Sequence, residues 1–290
     1  MQALEIINLT KRFGDFTALN SLNLKIEQGE IFGYLGPNGA GKTTTIRCML
    51  DFIRPTSGEI KIFGQTVASD IVGLKQKIGY LPAENAVYRN WTGQQHFDYL
   101  QGIRKTRSKS LSKLIAALEF NPSIRVGTLS SGNLQKLSII MALMFDPQLL
   151  VMDEPTKALD PILQHQFYDL IQTASKNGAT VFVSSHNLSE VENICNRAGI
   201  IKKGELVTIE KISELKRKRM HIIDVQFNEK IDISTFKIPV VDEITETPDG
   251  FKIKVKEDLN PVMQIIAKHK VKDLAITKAS LEEIFLEFYQ

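Results

Sequence analysis

Gly36-Pro37-Asn38-Gly39-Ala40-Gly41-Lys42-Thr43 reads G-x-x-x-x-G-K-T, the pattern of a phosphate-binding loop. The apolar run Ile31-Phe32-Gly33-Tyr34-Leu35 precedes it and the helix-like Thr44-Thr45-Ile46-Arg47-Cys48-Met49-Leu50 follows, so it lies between a strand and a helix, where such a loop works. The glycines let the backbone curl until successive N–H groups point inward at phosphate oxygens, and the following helix adds its positive N-terminal end. In this pattern Lys42 reaches the β- and γ-phosphates as a point charge and the Thr43 hydroxyl ligates Mg²⁺. The stretch predicts a nucleotide site.

A phosphate loop alone leaves kinases, GTPases and transport ATPases open. Leu149-Leu150-Val151-Met152-Asp153-Glu154 narrows the choice, because an apolar strand ending in two carboxylates places Asp153 beside the metal and Glu154 just beyond it. Phosphoryl transfer needs little covalent chemistry from the protein; the useful roles are holding Mg²⁺ and orienting or deprotonating the attacking water. Asp153 fits the first role and Glu154 the second. Taken alone, the pair also fits a helix N-cap or a surface turn.

Outward from the loop, residues 4–9 and 22–26 alternate like half-buried strands, with turn residues at Gly14-Asp15 and Gln28-Gly29, and 59–63 reads as another short strand. From Thr92 to Phe120 the apolar spacing becomes helical, with a polar break from Lys105 to Lys109. Strand patterns at 149–153, 180–184 and 197–201 then alternate with helices at 162–175 and 188–195, which predicts a mostly parallel sheet covered by helices. The fold class is therefore α/β: an antiparallel β element, a mostly parallel core sheet and a helical insert. After Gly204 the composition changes. Residues 1–210 read as the nucleotide-binding domain, 211–220 as a linker with the basic run Lys216-Arg217-Lys218-Arg219, and 221–290 as a small α+β domain. That tail predicts strands at 222–227, 237–241 and 251–255 and a helix at 261–268. It also predicts a closing helix from Leu281, with Ser280 and Glu283 as its capping box and Leu281, Ile284, Phe285 and Phe288 as its apolar stripe.

With 290 residues, 43% hydrophobic and 24% charged, the composition is that of an ordinary globular chain, and a formal net charge of +3 is too small to argue for nucleic acid. Cys48 and Cys195 sit on separate predicted helices without metal-ligand spacing, and the N-terminus has no basic segment before an apolar one, so a reduced, cytosolic protein is expected. The longest helical apolar stretch, Leu134 to Phe145, falls short of the roughly 20 residues of a membrane span. Any membrane function would need another chain.

With these motifs in place, the chain resembles the ATP-binding subunits of ATP-binding cassette (ABC) transporters over residues 1 to about 210, a P-loop NTPase fold. Leu129-Ser130-Ser131-Gly132-Asn133 is similar to that family's Leu-Ser-Gly-Gly-Gln motif, Ala158-Leu159-Asp160 to its D-loop, and His186, after Ser184-Ser185, to its switch histidine. The resemblance implies that ATP is held by Gly36 to Thr44 of one protomer and by Ser130, Ser131, Gly132 and Asn133 of a second copy or related cassette, with Asp160 at the junction. It implies that His186 contacts the γ-phosphate and the attacking water, and that Phe13 stacks on adenine. Read alone, His186 is a structural hydrogen-bonding residue and Phe13 a core aromatic equally well. Two departures stand out. Ala83 occupies the position of the Q-loop glutamine, leaving Glu84 as the nearest replacement, and Ser131 and Asn133 replace Gly and Gln.

The Leu-Ser-Ser-Gly-Asn motif, the Ile78-Gly79-Tyr80-Leu81-Pro82 loop without Gln and the tail Ala279-Ser280-Leu281-Glu282-Glu283-Ile284-Phe285 look like the exporter branch associated with drug and antibiotic efflux. The expectation is a Mg²⁺-dependent ATPase that dimerises around two ATP and drives a separate integral membrane permease from the cytoplasmic face. The aromatics Tyr88, Trp91 and Tyr99 of the insert are the expected docking residues, with core packing open for Tyr99 and Trp91. The alternative is a soluble ABC-type ATPase acting on nucleic acid or ribosomes. Sustained heptads or a second phosphate loop would favour it, and the sequence has neither.

Overall fold

Alternating apolar residues fold the N-terminus into a hairpin. Strands β1 (Gln2–Phe13) and β2 (Phe16–Glu27) pair antiparallel across the Gly14-Asp15 turn and bury Leu4, Ile6, Leu9, Leu22, Leu24 and Ile26. The next strand, β3 (Ile31–Leu35), is buried throughout and leads through the phosphate loop into α1 (Lys42–Met49). Strands β4 (Ser57–Ile62) and β5 (Gln65–Thr66) then complete the first sheet in the order β2-β1-β4-β5. The computed structural model describes every residue except Ala158, Lys218, Arg219, Glu257 and residues 279–290, and no side chain at 215–217.

After α2 (Ile71–Lys77), β6 (Ile78–Leu81) enters a second sheet. The helical insert follows as α3 (Gly93–Arg104) and α4 (Leu111–Ala117), with the predicted polar break between them. Thr92 and Gln95 close α3 with a reciprocal capping box. Helix α5 (Ser131–Leu143) leads to β7 (Leu149–Asp153), α6 (Pro161–Lys176), β8 (Thr180–Ser185), α7 (Leu188–Ile194), β9 (Arg197–Lys202) and β10 (Glu205–Lys211). The sheet order is β10-β9-β3-β8-β7-β6; every pair is parallel except β10 with β9. Strands β3, β7 and β8 are buried along their whole length, as a sheet covered on both faces requires.

Contacts divide the chain into two units, Met1–Lys211 and Ile212–Gln290. Within the segment expected as a linker, Lys211 closes β10 and α8 (Ile212–Arg217) is helical. The second unit is a four-stranded antiparallel sheet of β11 (His221–Phe227), β12 (Val241–Thr247), β13 (Gly250–Val255) and β14 (Val271–Lys278), in the order β12-β13-β11-β14. Helix α9 (Asn260–Ile266) buries Val262 and Ile266 in a core with Ile223, Val225, Phe236 and Ile253. The strand expected at 237–241 is not formed: Asp232 accepts from the Ser234 amide and caps a 3-10 turn over Ile233–Phe236, and Pro239 interrupts the run before β12. The closing helix with its capping box, Ala158 of the D-loop and half of the basic run fall outside the described residues.

Candidate active site

Strand order determines what meets the phosphate loop. Strand β8 lies between β3 and β7, with Leu35 paired to Ser185 and Ser184 paired to Asp153, so the loop leaving β3 emerges at the carboxyl ends of all three strands. The loop backbone is fixed from both sides: the Gly36 amide donates to the Ser185 carbonyl at 3.3 Å and the Gly204 amide to the Ala40 carbonyl at 2.9 Å. A Cβ at position 36 would stand 2.6 Å from the Ile201 carbonyl oxygen, so the close approach admits only glycine. Gly41 sits at φ 112° directly before α1, whose N-terminus carries no side-chain cap, leaving its amides directed at the loop. Pro37, Asn38 and Gly39 form the exposed crest, while Thr44 is half-buried on α1.

Lys42 is only 7% exposed. Its ammonium donates to the Gly36 carbonyl at 2.6 Å and the Pro37 carbonyl at 3.3 Å, and stands 3.2 Å from Glu154 Oε1. Thr43 donates its hydroxyl to Asp153 Oδ2 at 2.8 Å, and the buried Ser184 hydroxyl donates to Asp153 Oδ1. Glu154, the first residue beyond β7, has φ 51°, a left-handed conformation unusual for a side chain of this kind, stabilised by its amide donating to the Ser184 carbonyl at 3.0 Å. Glu154 Oε2 lies 2.5 Å from His186 Nδ1. The ion pair with Lys42 lacks hydrogen-bond geometry, so Glu154 Oε1 is a buried oxygen with no hydrogen-bond partner. A partly buried carboxylate with one oxygen not hydrogen-bonded, ion-paired with a lysine held by a phosphate loop, can orient or deprotonate a water placed against phosphate.

The donor set also fits a hard divalent cation. Thr43 and Asp153 offer two converging oxygens, and among the described residues no cluster of three or more His, Cys, Asp or Glu forms a complete metal cage. Mg²⁺ is ordinarily held by one or two protein oxygens together with substrate phosphates and water, and this pair supplies that share.

Comparison with known proteins agrees with this geometry. Residues 19–157 match the ABC transporter family. The chain is 36% identical over 227 residues to the bacitracin transport ATP-binding protein BcrA of Bacillus licheniformis, covering 77% of this chain and 74% of that one. It is 31% identical over 292 residues to the uncharacterized ABC transporter ATP-binding protein YhcH of Bacillus subtilis (strain 168), covering 98% and 95%. The chain belongs to the ABC transporter family of ATP-binding proteins. Among solved structures, the dimeric bacterial ABC transporter cassette MJ0796 is similar at 26% identity with a TM-score of 0.66, covering 72% of this chain and 98% of that one. This chain is therefore an ATPase cassette, with the P-loop fold predicted for it.

The remaining cassette motifs lie on other elements. Ser130 is the N-cap of α5, and its hydroxyl accepts from the Asn133 amide at 3.3 Å and from Asn133 Nδ2 at 3.2 Å. Asn133 is thus turned back onto Ser130, Ser131 is exposed, and Gly132 has open space where a side chain would stand. Asp160 caps α6 by accepting from the Leu163 amide at 2.9 Å. Phe13 is 50% exposed with the Lys11 ammonium 4.9 Å from its ring centroid, so it is a surface aromatic and not a core one.

Ala83 and Glu84 are both exposed; the loop is tied down one residue later. Asn85 donates to Gln135 Oε1 at 3.2 Å and accepts from Ser138 at 2.7 Å, both on α5, and buried Gln135 donates to the Pro155 carbonyl at 2.7 Å. Sequence reading missed this relay, as it missed Ser184 and the buried Glu190. Only the small hydroxyl pair Ser184-Ser185 at the end of an apolar strand hinted at polar partners there. The insert aromatics form one cluster: Trp91 lies 4.5 Å from Tyr88 and 5.3 Å from Tyr99, ring centroid to centroid. Tyr88 is 56% and Tyr99 46% exposed, whereas Trp91 is partly buried between them and His96.

Proposed function

We propose that this cassette hydrolyses Mg-ATP at an interface between two protomers and drives export through a separate integral membrane permease, working from the cytoplasmic side as a peripheral subunit. The observation that carries the site assignment is the Glu154 carboxylate, set between Lys42 and His186 with one oxygen that accepts no hydrogen bond. In this reading Gly36 to Thr44 bind the phosphates, and Lys42 lies beside them as a buried positive charge. Thr43 and Asp153 would hold Mg²⁺, which would supply neutralisation of the phosphate charge. Glu154 takes the proton of the attacking water. His186, with Nδ1 against Glu154, orients that carboxylate and contacts the γ-phosphate and the attacking water, stabilising charge as it develops. Phe13 stacks on adenine, its exposed ring giving a π-face with Lys11 beside it.

Half of the site is supplied by the second protomer. Ser130 caps the 13-residue helix α5, is exposed together with Ser131 and has open space beside it at Gly132, which suits a γ-phosphate presented from outside; Asp160 is likewise exposed, at the start of α6. Pairing of two cassettes is further supported by the dimeric form of the similar cassette MJ0796. A membrane partner is supported by the bacitracin transport function named for the relative BcrA and by the exposed rims of Tyr88 and Tyr99. Among the described residues no helix is long and apolar enough to cross a membrane. Residues 221–290 are read as an accessory domain. Light scattering of the Glu154→Gln variant with and without Mg-ATP tests the assembly: ligand held between two protomers stabilises only the closed form, so ATP should double the mass. An unchanged monomer mass at saturating ATP would refute pairing between copies of this chain.

A further inference from the structure

Behind the Glu154 and His186 pair lies a carboxylate with no part in the chemistry described so far. Glu190, on α7 and four residues beyond His186, is 1% exposed. One of its oxygens, Oε2, accepts from the Ser185 hydroxyl at 2.6 Å, and that hydroxyl in turn accepts from the Asn187 amide at 2.9 Å. The other, Oε1, is buried without a hydrogen-bond partner, although the Thr156 hydroxyl lies close enough to favour the ionised form. Ser185 immediately precedes His186, and Thr156 follows Glu154 by two residues. The Ser185 carbonyl also receives the Gly36 amide of the phosphate loop at 3.3 Å. A single buried side chain thus holds, through Ser185, the segment that delivers His186 and receives the phosphate loop. An apolar residue of the same volume would fill this space without the penalty of a buried carboxylate, so packing alone does not account for Glu190.

We infer that Glu190 is a positioning residue for ATP hydrolysis, holding His186 at its spacing from Glu154 by accepting the hydroxyl of the adjacent Ser185. The inference rests on the reading of Glu154 as base and His186 as its partner. Small displacements of such a pair matter, because misplacement by about 1 Å can lower turnover 10²-fold. Three titratable groups face Glu190: Glu154, Tyr168 on α6, and Cys195 just past α7. Burial, as the largest influence, and then Glu154 raise its pKa, Ser185 and Thr156 oppose the rise, and the result is pushed up to about 7. The ionised carboxylate accepts the Ser185 hydroxyl as a charge-assisted bond, so the grip on the His186 segment loosens as pH falls through neutrality.

The test compares steady-state Mg-ATP hydrolysis of wild type, Glu190→Ala, Glu190→Gln and Glu154→Gln in the full chain from pH 6 to 8. Glu190→Ala should lower kcat at pH 8 by at least about 10-fold, with KM within about 3-fold, since binding groups are untouched. Glu190→Gln keeps an acceptor for Ser185; it should recover most of kcat and lose the component of the wild-type pH profile that titrates near neutrality. Wild-type kcat in Glu190→Ala, or equal impairment of the Ala and Gln variants, would overturn the inference. Should Glu190→Ala fail to fold, Ser185→Ala removes the same link from the other side; unchanged kcat there would overturn it equally. Normal turnover by Glu154→Gln would instead refute the underlying assignment of the base.

Discussion

Replacing Glu190 by Gln should change how stability depends on pH. The Glu190 pKa is raised from an ordinary 4.5 to about 7, chiefly by burial. For a carboxyl raised in the folded state, the folded protein binds the proton more tightly than the unfolded chain. Its stabilising contribution is therefore complete below about pH 4.5, is lost as pH rises toward 7, and is absent above. At 1.36 kcal/mol per unit the full span is about 3 kcal/mol, of which about 2 to 3 kcal/mol falls between pH 5 and pH 8. The group is 1% exposed, so solvent screening does not reduce the figure appreciably. Gln cannot titrate, and its amide carries a fixed desolvation penalty at every pH, so the informative quantity is the pH dependence of the difference between the two proteins. The chain has one tryptophan, Trp91, and it lies in the Met1–Lys211 unit together with Glu190. Urea unfolding followed by tryptophan fluorescence at constant ionic strength therefore reports on the relevant unit. Relative to wild type, Glu190→Gln should gain about 2 to 3 kcal/mol on going from pH 5 to pH 8. A difference constant within about 0.5 kcal/mol over that range would refute the reasoning.

Two further outcomes follow from the geometry. Gly41→Ala places a Cβ 2.8 Å from Leu19 Cδ2 and 2.9 Å from the Ala18 carbonyl at φ 112°, so it should destabilise the first unit by about 1 to 3 kcal/mol and weaken ATP binding in equilibrium titration; wild-type affinity and stability would count against a tightly specified loop. Because Trp91 is partly buried within its own cluster, the docking proposal is better tested at Tyr88. Tyr88→Ala should leave the isolated ATPase within about 2-fold of wild type while weakening recovery with the permease by at least about 2 kcal/mol, and undiminished recovery would remove this face from the interface.

The elements that carry the chemistry were legible because their signals are local. A glycine loop between a strand and a helix, an apolar run ending in Asp153-Glu154, and helical spacing across the insert each have one dominant folded solution. The edges of the sheets were less legible. Strand β10 has alternating exposure with charged residues at both ends and owes its place to pairing with β9, and β14 is almost wholly exposed, so neither presents an apolar pattern. The expected strand at 237–241 failed because Asp232 and Pro239 impose turn geometry that short-range apolar content does not reveal. Lys42, Asp153, Glu154 and His186, which the structure brings together, are singled out by motif position. Ser184, Gln135, Asn85 and Glu190 are not, because their roles depend on partners 31, 20, 50 and 5 residues away. The sequence leaves Phe13 open between core and surface, and its 50% exposure places it on the surface.

The assignment of Glu154 as the base that activates water is tested most directly by single-turnover hydrolysis in Glu154→Gln, with nucleotide binding measured in the same preparation. Gln preserves the shape of the side chain beside Lys42 and His186 but cannot take a proton. ATP affinity should therefore stay within about 3-fold of wild type while the hydrolytic rate falls by at least about 10²-fold, the scale of a general base. A Glu154→Gln protein that binds and hydrolyses Mg-ATP at the wild-type rate would contradict the account.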